Sequence, residues 1–222
     1  MSSSSVRLLG LGHSIYTRIA RLALEEKGVS YELEEADPFG PDGVPAEHLK
    51  RHPFGRIPVL VHADFLLYET SAICRYIDEV FPGPQLQPAS GAHRARMTQV
   101  ISLLDSYAYR PMVWDVFVQH RRLIVKGTKP DEAAFDSALR QAETALRAIV
   151  EIKEASRYLV GSQLTLADLH AFPMLRYFAL VPEGRALIAR YPTLAEWLAD
   201  MAQRQSVAAT SSSYEHSPQK AD

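Results

Sequence analysis

The rhythm of apolar and polar positions changes character about a third of the way along this chain. Val6–Leu9 is a short apolar run followed by Gly10 and Gly12, which predicts a strand. Ile15, Ile19 and Leu22 then recur at helical spacing behind Ser14, a good helix cap, and Gly28 after Lys27 is a stop signal. Val29, Tyr31 and Leu33 alternate with polar residues, predicting a second strand. Connections this short favour a parallel pair joined by a right-handed crossover. Residues 37–45 are rich in Pro, Gly and Asp and predict a loop, and 46–51 a short helix. Residues 58–61 and 65–68 predict two strands that pair antiparallel across a turn at Ala63-Asp64. Ile73, Ile77 and Val80 mark another helix, ended by Phe81-Pro82-Gly83-Pro84.

The resulting order is β-α-β-α-β-β-α, a thioredoxin-like α/β pattern over residues 1–81. Residues 82–92 form a linker by composition. Beyond it no convincing strand occurs, and 93–205 predicts an all-helical domain. Met97, Ile101, Leu104 and Ala108 form one seam, which Pro111 is expected to kink or interrupt. Phe135, Leu139, Ala142, Leu146 and Ile149 form a second, entered through Pro130 and Asp131. Leu166, Leu169 and Pro173 lie in a third. Thr165 with Asp168, and Thr193 with Glu196, have the spacing of capping boxes, and Leu164 and Leu169 add the flanking apolar staple. Residues 206–222 are Ser-rich and polar, which predicts a flexible tail.

Composition narrows the function classes. The 222 residues carry 24 Lys and Arg against 26 Asp and Glu, so nothing points to nucleic acid or an anionic membrane surface. No apolar run approaches the roughly 18 residues that cross a bilayer. The start, Met1-Ser2-Ser3-Ser4-Ser5, lacks the basic and apolar regions of a signal peptide. Cys74 is the single cysteine, so no internal disulfide or cysteine metal site is expected. A cytoplasmic protein without a metal is the expectation.

Three segments carry chemistry: Ser14-Ile15-Tyr16-Thr17-Arg18, Pro53-Phe54-Gly55-Arg56-Ile57-Pro58, and Glu69-Thr70-Ser71-Ala72-Ile73. The first and third open helices, whose leading N–H groups lack internal partners and favour an anion. The second is a tight turn feeding a strand through a proline. Each has a bland reading: Ser14 and Thr70 as ordinary caps, Pro58 as an edge-strand guard, Arg56 as a solvated surface residue. Together, in this order and with a helical half behind them, the segments closely resemble the soluble glutathione transferases, over roughly residues 6–204.

That resemblance implies a serine-type, phi- or theta-like, bacterial-style enzyme. It uses glutathione as co-substrate, a small apolar electrophile as second substrate, and a two-fold homodimer as assembly. Pro58 stands where the family has a cis proline, so that Ile57 offers its N–H and C=O to the cysteinyl part of glutathione. Glu69 and Thr70 stand where the family binds the γ-glutamyl end. Ser14 stands at the activating hydroxyl, with Tyr16 and Thr17 as rivals for that role. His13 adjoins the site without a required role, and Cys74 reads as a buried inert thiol. The chain departs from phi-like relatives at Gly43, where they have a histidine for the glycyl carboxylate, and at His52, where they have asparagine. Arg56 is the substitute for binding that carboxylate. Tyr107, Tyr109 and Trp114 lie near the expected electrophile wall, and Phe54 reads as an aromatic key for a partner subunit. Other readings on the same site are glutathione-dependent peroxidase, isomerase or dehalogenase activity, or a non-catalytic ligand-binding or protein-docking module.

Overall fold

The computed structural model describes residues 5–40, 43–153 and 155–216, and its first half follows the predicted order. The elements are β1 (Val6–Gly10), α1 (Ile15–Glu26), β2 (Tyr31–Glu35), α2 (Ala46–Arg51), β3 (Val59–His62), β4 (Phe65–Tyr68) and α3 (Thr70–Val80). The sheet order is β2-β1-β3-β4. β1 and β2 run parallel, while β3 is antiparallel to β1 and β4 antiparallel to β3. Leu8, Leu9 and Leu60 on the inner strands are buried with Ile19 and Leu22 of α1 and Ile73 of α3. α1 packs beside α3. Gly10 lets α1 come close, since a Cβ there would sit 2.3 Å from Thr17 Oγ1. At the other end of α1, the buried Lys27 Nζ donates to Asp78 Oδ1 at 3.2 Å, Asp78 O at 3.1 Å and Pro84 O at 3.0 Å, tying α1, α3 and the start of the linker together.

The second half is helical. α4 (Gly91–Leu103) passes into two wide-turn π segments, Leu104–Ala108 and Arg110–Val118, and then into α5 (Gln119–Lys126). α6 (Glu132–Ile152), α7 (Leu166–Phe178), α8 (Pro182–Ala189) and α9 (Pro192–Ala202) follow, then α10 (Gln205–Ala209) and α11 (Ser213–His216). Pro111 does not interrupt its helix. It lies inside a continuous helical run, and the winding widens around the missing N–H and the ring. The box at Thr165 and Asp168 is present. The one expected at Thr193 and Glu196 is not, because Pro192 already occupies the first helical position and Tyr191 is the cap.

The chain divides into two units, with a break after Gln85, inside the expected linker. Residues 86–204 form the helical unit, and the described residues from Gln205 onward belong with the sheet. The expected flexible tail is therefore corrected over 206–216. Ser206, Val207, Thr210 and Ser212 are buried there. Arg18, fully buried, donates through Nη1 to Glu215 Oε1 at 2.6 Å and through Nη2 to Val207 O at 3.5 Å. Arg21 Nη2 donates to Ala209 O at 3.0 Å, and Ser206 Oγ donates to Glu26 Oε1. A polar segment is held here by charged partners on α1 and by little apolar burial. Three parts of the sequence reading, residues 1–4, 41–42 of the predicted loop and 217–222, lie outside the described residues.

Candidate glutathione site

The sheet register brings the three motif segments together. Leu9 pairs with Val59, and Val59 with Tyr68, in one row across β1, β3 and β4. One residue beyond that row stand Gly10, Pro58 and Glu69. From Gly10 the chain turns through Leu11 and Gly12 into Ser14 and α1, and from Glu69 it enters α3 directly. One end of the sheet thus collects two helix N-termini and the proline turn. Their dipoles add a positive field at a place where main-chain donors are accessible.

Ser14 caps α1 and is half-buried. Its Oγ accepts the Thr17 N–H at 3.4 Å, and its own N–H donates to Leu11 O at 3.0 Å. Accepting from the helix leaves the hydroxyl proton for donation to an outside group. Thr17 is fully buried, and its Oγ1 has no hydrogen-bond partner among the described residues. It packs beneath Gly10, closed off from solvent. Tyr16 is half-buried on α1, and the exposed His13 carries its ring 5.3 Å from that of Tyr214.

Glu69 has φ 72° and ψ 114°, a conformation that L-residues seldom adopt. It is exposed, caps α3 by position, and makes no side-chain capping bond. Strain of about 1–3 kcal/mol of this kind persists where the surroundings impose it, commonly at ligand sites. Thr70, the first residue of α3, is buried with 8% exposure. The Ile57–Pro58 bond is cis, and strand pairing on β3 begins only at Val59, which leaves the Ile57 main chain outside the ladder.

The turn before Pro58 is built by two histidines, only one of which had drawn notice in the sequence. His48 Nε2 donates to Arg56 O at 2.8 Å. His52 is buried, and its Nδ1 accepts the Phe54 N–H at 3.3 Å while its ring lies 4.6 Å from that of Tyr68. Burial holds the His52 pKa below the usual imidazole value. Glu69 opposes this, whereas His48 and Arg56 reinforce it. His52 therefore builds the turn, and the exposed Arg56 is the cation at this edge. Gly55, at φ +59°, completes the turn, and a Cβ there would meet Val44 at 2.9 Å. Sequence gave no local signal for His48, because its partner is a main-chain oxygen eight residues away.

Cys74 is fully buried in α3. In the helical unit Tyr107 is 70% exposed, while Tyr109 and Trp114 are half-buried. Among the described residues there is no group of three or more His, Cys, Asp or Glu that could hold a metal ion, and no helix is long and apolar enough to cross a membrane.

Residues 4–79 match the glutathione S-transferase N-terminal domain, and residues 132–200 match the C-terminal domain of the same family. Glutathione S-transferase 1 of Triticum aestivum is 30% identical over 200 residues, covering 84% of this chain and 85% of the relative. The chain belongs to the glutathione S-transferase family. Glutathione S-transferase 4 of Zea mays is 29% identical, covering 92% of this chain and 91% of its own. Among solved structures, a glutathione S-transferase of Methylobacillus flagellatus with GSH bound superposes with a TM-score of 0.76 at 26% identity, covering 93% of this chain and 99% of that one. Within this transferase frame, the α/β half is the thioredoxin-like domain and the helical half is the family's C-terminal domain.

Proposed function

We propose that this transferase is serine-type and phi- or theta-like, that it works as a cytoplasmic homodimer, and that it ionises glutathione beside Ser14 for attack on a small apolar electrophile. In this reading Ile57, next to Pro58, pairs its main chain with the cysteinyl part. Thr70 and the first N–H groups of α3 take the γ-glutamyl carboxylate, Glu69 takes the γ-glutamyl ammonium, and Arg56 takes the glycyl carboxylate. The observation that carries the reading is the Ser14 hydroxyl, which accepts from Thr17 N–H and so keeps its proton for a sulfur. Phe54, 72% exposed, supports its use as the aromatic key for a partner subunit.

The chemistry follows from thiol acidity. A free thiol near pKa 8.5 is only a few per cent thiolate at neutral pH. Lowering that value by about two units makes the anion dominant and takes about 2.7 kcal/mol of differential stabilisation. A hydroxyl donor at the positive end of α1 supplies part of this. The thiol proton passes to solvent, the thiolate forms a sulfur–carbon bond, and a leaving group such as chloride departs with the electrons of the bond it breaks. Holding both reactants in one complex supplies much of the remaining acceleration. The test is a titration of enzyme-bound glutathione by thiolate absorbance, run beside conjugation of a chloroaromatic. A bound thiol that ionises below neutral pH supports the reading. Glutathione that binds with an ordinary thiol pKa, or fails to bind, overturns it.

A further inference from the structure

We propose that His48 is a positioning residue for glutathione, aiming the Ile57 N–H outward by holding the carbonyl at the other side of the same peptide unit. This rests on Ile57 being the main-chain contact for glutathione. The decisive contact is His48 Nε2 to Arg56 O at 2.8 Å. A carbonyl oxygen only accepts, so Nε2 carries hydrogen whether the ring is neutral or charged. Arg56 C=O and Ile57 N–H belong to one peptide plane. Among the described residues the cis bond is Ile57–Pro58, so Arg56–Ile57 is trans and its two polar groups point in opposite directions. Fixing the oxygen on the α2 side therefore fixes the N–H on the other.

His48 is itself held firmly. It is the buried side chain of α2, with 6% exposure. His48 O accepts the His52 N–H at 2.8 Å, and the two rings lie 6.5 Å apart. His52 rests in turn against Tyr68, the residue before Glu69. The brace thus links the proline turn to the start of α3, so both main-chain contacts for glutathione share one support. Without the imidazole donor, Arg56 O loses its partner inside the fold. The peptide can then rotate to seek water, carrying the Ile57 N–H away from the ligand.

The experiment compares wild type, His48→Phe and His48→Gln for glutathione affinity by calorimetry and for KM and kcat in conjugation. Thermal melting monitors the fold. Loss of one well-placed hydrogen bond predicts about a five- to tenfold weaker glutathione affinity for H48F, with kcat and the electrophile KM within about twofold. H48Q, which can restore an N–H donor, is expected within about twofold of wild type. Equal affinity in all three, or equal weakening of H48F and H48Q, overturns the role of His48 and leaves the transferase reading intact. Failure of the wild type to bind glutathione overturns the transferase reading, and the role of His48 with it. Amide exchange of Ile57 in the wild type gives a check independent of how H48F folds. Exchange that slows on adding glutathione supports the proposal, and unchanged exchange overturns it.

Discussion

At the start of α7 every capping group has its partner inside the protein, whereas the capping groups at the starts of α1 and α3 remain accessible. Asp168, fully buried, accepts from Leu159 N, Thr165 N, Thr165 Oγ1 and Trp197 Nε1, all at 2.8–2.9 Å. Ser14 accepts one helix N–H at 3.4 Å, and Glu69 makes no capping bond from its side chain. The same residue types, a hydroxyl and an acid at a helix start, serve two ends. Saturated, they bind the fold together. Left open, they keep helix N–H donors within reach of an outside group.

Removing the closed cap should have the largest effect. Asp168→Ala strands four donors, all of them on the buried residues Leu159, Thr165 and Trp197, and is expected to cost on the order of 4 kcal/mol, as for breaking a buried charged network. For a chain of this size that lowers Tm by roughly 10 °C. Activity per folded molecule should stay near wild type. Equal melting temperatures, or activity falling faster than stability, would remove the distinction between the two kinds of helix start.

The closed region should also be the acid-sensitive one. His170, fully buried in α7, donates from Nδ1 to Leu166 O at 3.1 Å, and burial pushes its pKa down from 6.5 to about 4. The unfolded state therefore binds the proton more tightly. The stabilisation is fully present above about 6.5 and is lost as pH falls toward 4, by on the order of 3 kcal/mol between pH 7 and 4. Asp168 acts in the opposite sense: burial raises its pKa above 3.8, so its contribution declines as pH rises past that value. His170→Leu isolates the histidine. Denaturant unfolding of this variant should show a flatter acid limb than wild type, and parallel limbs would rule the histidine out.

At the open caps, function should fall before stability does. Ser14→Ala should lower turnover tenfold or more, with glutathione affinity changed about twofold at most and roughly 1 kcal/mol of stability lost with the cap. Steady-state and binding measurements on one preparation separate these quantities. The smallest effect is expected at Glu69. Glycine accepts a positive φ without strain, so Glu69→Gly should raise stability by about 1 kcal/mol while weakening glutathione binding. Lower stability together with unchanged binding would show that the backbone there serves the fold alone.

Much of this organisation was legible in the chain. The strand and helix order of the first half follows from alternating and helical periods with clear stop residues. The box at Thr165 and Asp168 is visible because both partners sit within one turn. Local spacing also placed Ser14, Ile57 and Glu69 at element boundaries. Other features depend on what neighbours supply. Pro111 predicts a break only if the winding stays regular, and here it widens. Thr193 lost the cap of α9 to Tyr191, since Pro192 begins the helix earlier. His48 acts through a carbonyl that no side-chain pattern reveals, and the Ser-rich end was misread because its partners are residues of α1.

The clasp between Arg18 and Glu215 spans 197 positions of the chain. At translation speeds of about 5–20 residues per second, the ribosome delivers the second partner roughly 10–40 s after the first. Through that interval the guanidinium and the neighbouring Arg21 and Glu26 side chains of α1 have to be solvated or chaperoned, because their final partners have not yet been made. The sheet unit, though nearly all of it is synthesised first, is therefore completed last.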